Sequence, residues 1–210
     1  SVLDVGCGNG IFLERLKKKI NYKSALGFDY SKQMINEAKK RFIKKTKFIE
    51  LDMTDEKQLQ LLNQKFDYII TKRSLINLAS FKQQVKVLDK LSKLLKKNGK
   101  ILSCENSLTN LKNINEVRKK VGLKKIIPPW HNVYIENQRL INHKFKYIKF
   151  INLHEFSSSF YFITRVINAL NSKLRKNIKF DENINQIGYS LDQNIIPGYS
   201  QNVVFEFLRK

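Results

Sequence analysis

The chain has 210 residues, of which 42% are apolar and 11% aromatic, enough to bury one sizeable core. Forty Lys and Arg against 18 Asp and Glu leave a net charge of +22, which draws polyanions at low salt without naming one. No run approaches the ~18 apolar residues of a membrane span, no secretory signal opens the given N-terminus, and Cys7 and Cys104 suit neither a disulfide framework nor a zinc set.

The predicted elements alternate through the first half. Val2–Val5 reads as an apolar strand that runs into Gly6, Gly8 and Gly10. Residues 11–20 have helical spacing, with Ile11, Phe12, Leu13, Leu16 and Ile20 on one face. Ala25–Asp29 is a second strand, and Ser31 caps a helix over residues 32–42 whose stripe is Met34, Ile35 and Ala38. Residues 47–51 form a third strand, 58–62 a short helix and 66–71 a fourth strand. A helix over 85–95 stops at Asn98-Gly99, and 101–104 is a fifth strand. In the second half, 115–120 suggests a short helix and Pro128-Pro129 stiffen a loop that ends in Trp130, His131 and Asn132. Residues 147–153 form a strand, 160–174 an amphipathic helix and 203–208 a last strand. This alternation predicts an α/β fold, a doubly wound and mostly parallel sheet with helices on both faces, whose last two strands extend it as an antiparallel edge. Ligands of such sheets sit beyond the carboxyl ends of the strands, beside the first one. That rule selects Asp4 to Gly10, Asp29, Asp52, Thr71 to Arg73 and Cys104 to Asn106.

The glycines of Asp4-Val5-Gly6-Cys7-Gly8-Asn9-Gly10 permit a sharp turn and a close approach of backbone to a ligand. The third comes one residue early for a dinucleotide fingerprint, and no Gly-Lys-Ser/Thr follows for a P-loop. Asp29, 19 residues after Gly10, closes the second strand, where a carboxylate can accept from both hydroxyls of a ribose. Leu51-Asp52-Met53 follows the third strand.

In this order the motifs resemble the class I S-adenosylmethionine-dependent methyltransferases of Rossmann-like fold, over residues 1 to about 105. The resemblance implies a single domain, residues 1–105 forming its cofactor half and 106–210 its acceptor half. The family usually adds a helix before the first strand, so a chain that opens on that strand without Met is expected to be truncated at its N-terminus. The glycine loop would cradle the methionine end of S-adenosyl-L-methionine, and Asp4 would anchor the loop or reach the ammonium. Asp29 would take the ribose diol and Tyr30 would pack on adenine. Asp52 and the Met53 backbone would read the base, and Thr71 would complete the pocket. Residues from Glu105-Asn106 through Trp130-His131-Asn132 to Phe156 and Arg165 also resemble methyltransferases of bacterial surface-carbohydrate pathways.

Methyl transfer to a hydroxyl needs an aligned acceptor and a place for its proton. His131 and Glu105 are the candidate catalytic bases, with Arg73, Asn106, Trp130 and Asn132 as candidate substrate residues. The expected acceptor is a small polar molecule, a hydroxyl of a sugar or related metabolite, with no metal and no membrane span, in the cytoplasm. The sequence leaves the oligomeric state open. Two alternatives stand beside this reading: a tRNA or rRNA methyltransferase, motivated by the charge, and a non-catalytic cofactor-binding module. Against nucleic acid, the cations are spread evenly, with 23 against 11 anions in residues 1–105 and 17 against 7 in 106–210. The Asn-Pro-Pro-aromatic signature of base amino-methylation is also missing after the fourth strand.

Overall fold

The computed structural model describes residues 1–175, 183–191 and 196–210. Seven strands, β1 (Val2–Val5), β2 (Ala25–Asp29), β3 (Thr46–Glu50), β4 (Phe66–Lys72), β5 (Leu95–Asn106), β6 (Ile148–Glu155) and β7 (Asn202–Arg209), form one sheet in the order β3-β2-β1-β4-β5-β7-β6. The first five are parallel neighbours, while β7 runs antiparallel to both β5 and β6. The antiparallel pair lies where the sequence places it, and the C-terminal strand sits one position inside β6. Strand order reverses between β1 and β4, the switch point at which such sheets bind ligands.

Alternation along the strands builds two cores. Leu3, Leu26, Phe28 and Ile69 face one way, toward Leu59, Leu88 and Leu91. Val2, Ala25, Phe48 and Ile70 face the other, toward Leu13, Ile35 and Ala38. The helices of the first half supply those partners: α1 (Ile11–Lys19), α2 (Lys32–Lys39), α3 (Glu56–Gln60) and α4 (Phe81–Ser92). Ser31, Asp55 and Ser80 cap α2, α3 and α4, each accepting a backbone N–H with its side chain.

Several boundaries differ from the sequence reading. The helix expected at 85–95 begins at Phe81, because Ser80 is its cap. Asn98-Gly99 does not end it but lies within β5, where Asn98 adopts φ 62° and the register with β4 slips. The short helix expected at 115–120 is α5 (Leu108–Lys120), capped seven residues earlier by Ser107. A one-turn helix α6 (Asn137–Ile141) and a further helix α9 (Asn183–Ser190) carried no strong periodic signal. The helix expected at 160–174 is three contiguous pieces, α7 (Ser158–Phe162), a π-turn (Ile163–Ile167) and α8 (Asn168–Arg175). Among the described residues no helix is long and apolar enough to cross a membrane.

Candidate active site

At the switch point the chain leaves β1 through a loop of left-handed glycines. Gly6 (φ 69°) lies so close to the β4 loop that a Cβ on it would stand 2.6 Å from Ser74 Cβ. Gly8 (φ 52°) faces open space instead, since a Cβ there would meet nothing within 4 Å. Side chains are excluded at Gly6 by packing, while Gly8 leaves its backbone bare to the cleft. Gly10 caps α1, and a Cβ there would press on the Phe48 ring at 2.8 Å.

Asp29 locks the loop in place. Its Oδ2 accepts from Gly8 N at 2.9 Å and its Oδ1 from Ser31 N at 2.9 Å, on a side chain at the rim of burial. Asp4 is 1% exposed, and its Oδ2 is buried without a partner among the described residues. Burial pushes the Asp4 carboxyl up to about 7; Lys72 opposes the rise and Asp29 adds to it. Ser74 Oγ, against Gly6, is likewise buried and unpartnered.

A cleft of about 330 Å³ collects the loop and its surroundings. Its walls include Asp4, Gly6 and Gly8 on one side and Lys72, Arg73, His131 and Asn132 on the other. Two larger hollows, of about 560 and 740 Å³, open at the amino ends of the strands around Lys23 and Ser24 and contain none of the motif residues. The smaller cleft is the better candidate because strand ends and loop backbone converge there.

The loop that bears His131 is anchored to the 3₁₀ turn after β4 (Leu75–Asn77). Asn132 Nδ2 donates to Asn77 Oδ1 at 2.7 Å, and Val133 N donates to Ile76 O at 2.7 Å. That tether brings His131 and Asn132 over the glycine loop, 120 residues away in sequence. Arg73 holds a left-handed backbone (φ 54°), its carbonyl accepting from Asn77 Nδ2 at 3.0 Å. Among the described residues no carboxylate pairs with it.

Four expectations are corrected. Glu105 is fully buried and cannot meet an acceptor proton. Its Oε1 accepts from Thr71 Oγ1 at 2.8 Å, Leu75 N at 3.1 Å and Ser74 N at 3.4 Å, and its Oε2 from Ile76 N at 3.3 Å. It is a positioning residue that fixes the β4 loop. Burial pushes its carboxyl up to about 7, and those same donors oppose the rise. Thr71 is sealed with it, its hydroxyl shared between Glu105 and Ser103, and cannot line a cofactor pocket. Trp130 is 96% exposed, edge-on to His131 at 5.4 Å between ring centroids, and forms no wall of the cleft. Asn106 is 4% exposed and stands outside the cleft, its Oδ1 buried without a partner.

The adenine side is looser. Tyr30 is 75% exposed. Asp52 spends its Oδ1 on Thr54 N and Thr54 Oγ1, which leaves Oδ2 for a ligand. Met53 packs against the core, its Cε 3.5 Å from where a Cβ on Gly6 would stand. Sequence reasoning missed Ser74 as a wall of the glycine loop, and passed over Lys72, whose ammonium lies 5.2 Å from the Phe12 ring centre and also lines the cleft. Nothing in a Ser-Leu-Ile run announces the first of these.

The residues present fit S-adenosyl-L-methionine. The bare backbone at Gly8 and the orphaned Asp4 Oδ2 line the cleft, Ser74 Oγ stands beside the loop, and Asp29 accepts from Gly8 N at the second strand end, so a cradle, a carboxyl partner and a diol acceptor surround one loop. Comparison with known proteins agrees. The family described as "Methyltransferase domain" matches residues 1–149. An uncharacterised protein of Rickettsia prowazekii is 32% identical over 118 residues, 56% of this chain and 47% of that protein. The chain thus spans about half the length of that curated relative. Among solved structures, the magnesium protoporphyrin IX methyltransferase of Synechocystis PCC 6803 with bound S-adenosylhomocysteine (SAH) superposes with a TM-score of 0.57 at 14% identity, over all of this chain and 74% of its own. The plantazolicin methyltransferase with SAH gives 0.56 at 19% identity, over 100% and 76% of the two chains. Both likenesses concern the fold.

Proposed function

The chain belongs to the methyltransferase-domain family, with the sheet of the class I S-adenosylmethionine-dependent enzymes, and from that premise we propose that it methylates a hydroxyl of a small polar acceptor, a sugar or related metabolite. The observation that carries this reading is the single cleft in which the glycine loop faces His131 and Asn132. The cofactor supplies an electrophilic methyl on sulfonium; the protein holds the acceptor in line and gives its proton a destination.

In this reading Asp4 and the glycine loop hold the methionine end, and Asp29 the ribose diol. Tyr30, Asp52 and Met53 form the adenine side. His131 takes the acceptor proton, an imidazole being the side chain best suited to exchange one near neutrality. Asn132 orients the acceptor, and Arg73 receives an acidic group on it. Residues 1–105 serve as the cofactor half and 106–210 as the acceptor half. Two free cysteines suit a reducing compartment, and we place the reaction in the cytoplasm.

The test is transfer of a labelled methyl group from S-adenosylmethionine to a panel of sugars, sugar phosphates and nucleotide sugars. Turnover on one of them supports the reading. Turnover confined to bulk tRNA, with binding that weakens steeply as salt rises, would favour the RNA alternative suggested by the +22 charge. Binding of SAH without turnover on any acceptor would leave the non-catalytic module.

A further inference from the structure

Beyond β5 lies a second hollow, of about 280 Å³, that the cofactor does not need. Its walls are Phe156, Phe160, Tyr161 and Tyr189, with Ser157 and Asn202 as the polar members. It opens at the same end of the sheet as the cleft. Asn202 starts β7 and pairs with Asn106, two residues beyond Cys104, whose carbonyl accepts from Arg73 N at 2.9 Å. Burial raises the Tyr161 phenol, and the positive charges of Arg165 and Arg73 oppose that rise.

Two features of the hollow are chemically unfinished. Phe160 and Tyr189 lie 4.2 Å apart between ring centroids at 35°, with Tyr189 64% exposed, so an aromatic surface stands open to solvent. Ser157 Oγ and Asn202 Oδ1 are buried and have no partner among the described residues, although Asn202 Nδ2 donates to Tyr161 Oη at 3.1 Å. Turning the Asn202 amide over does not help, because the phenol can donate as well as accept and one end of the amide stays unpaired either way. Buried polar groups left unmet are costly, and Asn202 and Ser157 both line the hollow. An aliphatic guest would cover the rings but leave both oxygens unmet. A ring with apolar C–H faces and hydroxyl groups at its edge satisfies both kinds of wall, and the volume holds one such ring with its substituents.

We propose that this hollow is the acceptor's ring subsite and binds a sugar, with a C–H face on the Phe160–Tyr189 surface and ring hydroxyls donating to Asn202 Oδ1 and Ser157 Oγ. The inference rests on the proposed methylation of a small polar acceptor and names where its ring lies.

Ligand-observed saturation-transfer NMR tests it, with methyl glycosides of hexoses, pentoses and deoxyhexoses as probes and SAH present. Cyclohexanemethanol, whose ring carbons bear no hydroxyl, and adenine, a flat aromatic without a sugar, serve as comparison ligands. At least one glycoside is expected to bind through one C–H face. Its signal should fall about fivefold or more in Tyr189→Ala and in Asn202→Ala, with the circular dichroism spectrum and SAH affinity of each variant unchanged. Tyr189 is on the surface, so its replacement keeps the test open if Asn202→Ala misfolds. Binding of SAH with no glycoside binding overturns the subsite and spares the methyltransferase reading. Glycoside binding without SAH binding does the reverse. Stronger binding of cyclohexanemethanol or adenine than of every glycoside, or a glycoside signal indifferent to both variants, also overturns the subsite.

Discussion

Acidic side chains at the strand ends of the first half have found backbone partners; at the same end of the second half Glu155 has one too, in Gly198 N at 2.8 Å, but three polar side chains keep an oxygen without a partner among the described residues. Asp29 accepts from two backbone amides, Asp52 closes its own turn, and Glu105 gathers three amides and a hydroxyl. Asn106, Ser157 and Asn202 each keep a buried oxygen unpaired. The first half is thus a finished frame, built by local turns and caps before any ligand arrives. Among its described residues the exceptions are Asp4 Oδ2, Ser74 Oγ and Gln84 Oε1, and the first two flank the glycine loop. Beside that loop, and in the hollow lined by Ser157 and Asn202, unmet polarity is a cost that a ligand can offset.

The sharpest way to break this comparison is at the loop that joins the halves. His131→Gln should lower kcat by about 10²–10⁴, the usual worth of a general base. Affinity for SAH should hold, since the proposed cofactor contacts come from the glycine loop, Asp4, Asp29 and Asp52 and not from His131. A variant that keeps more than about a third of wild-type kcat would make His131 structural.

Next in size is the frame itself. Glu105→Ala strips the acceptor from three buried amides and should cost about 3 kcal/mol of stability, read from the denaturant midpoint at constant m-value. If Glu105 were the base instead, stability would hold and kcat alone would collapse.

Asp29→Ala should weaken SAH binding by about 1.5–3 kcal/mol, a loss of hydrogen bonds to a charged group. Those bonds serve ground and transition states alike, so kcat at saturating cofactor should change little.

Smaller still is a pH effect. Both Asp4 and Glu105 carry carboxyls raised from the ordinary range to about 7. Folded protein therefore holds protons that the unfolded chain releases, and the stability these groups contribute is greatest below about pH 4 and is lost as pH rises through about 7. Asp4→Asn should flatten the decline in Tm between about pH 5 and pH 8. An equally steep decline in the variant would mean that Asp4 does not titrate there. The smallest expected effect is none: excess EDTA should leave turnover intact, and loss restored by magnesium would contradict it.

How much could be read from the chain follows the same division. Gly6, Gly8 and Asp29 are legible because they sit within a few residues of a strand end, where turn chemistry is local. His131 and Asn132 are legible as a stiff loop, and both line the cleft. The sealing of Thr71 and Glu105 was not, since it depends on which face each strand-terminal side chain takes once β4 and β5 are in register. Trp130 shows the converse: an aromatic ring in a proline loop signals a platform, yet only the path of the backbone decides whether the ring turns inward. Ser157 and Asn202 meet because β7 returns antiparallel to β6, pairing Glu155 with Val203, a long-range pairing that no local pattern encodes.

The central claim is that the crevice at the glycine loop is a cofactor site, and isothermal calorimetry with SAH tests it most directly. The account predicts saturable one-to-one binding in the wild-type protein that competes with S-adenosylmethionine. No heat at millimolar SAH from folded protein would contradict it.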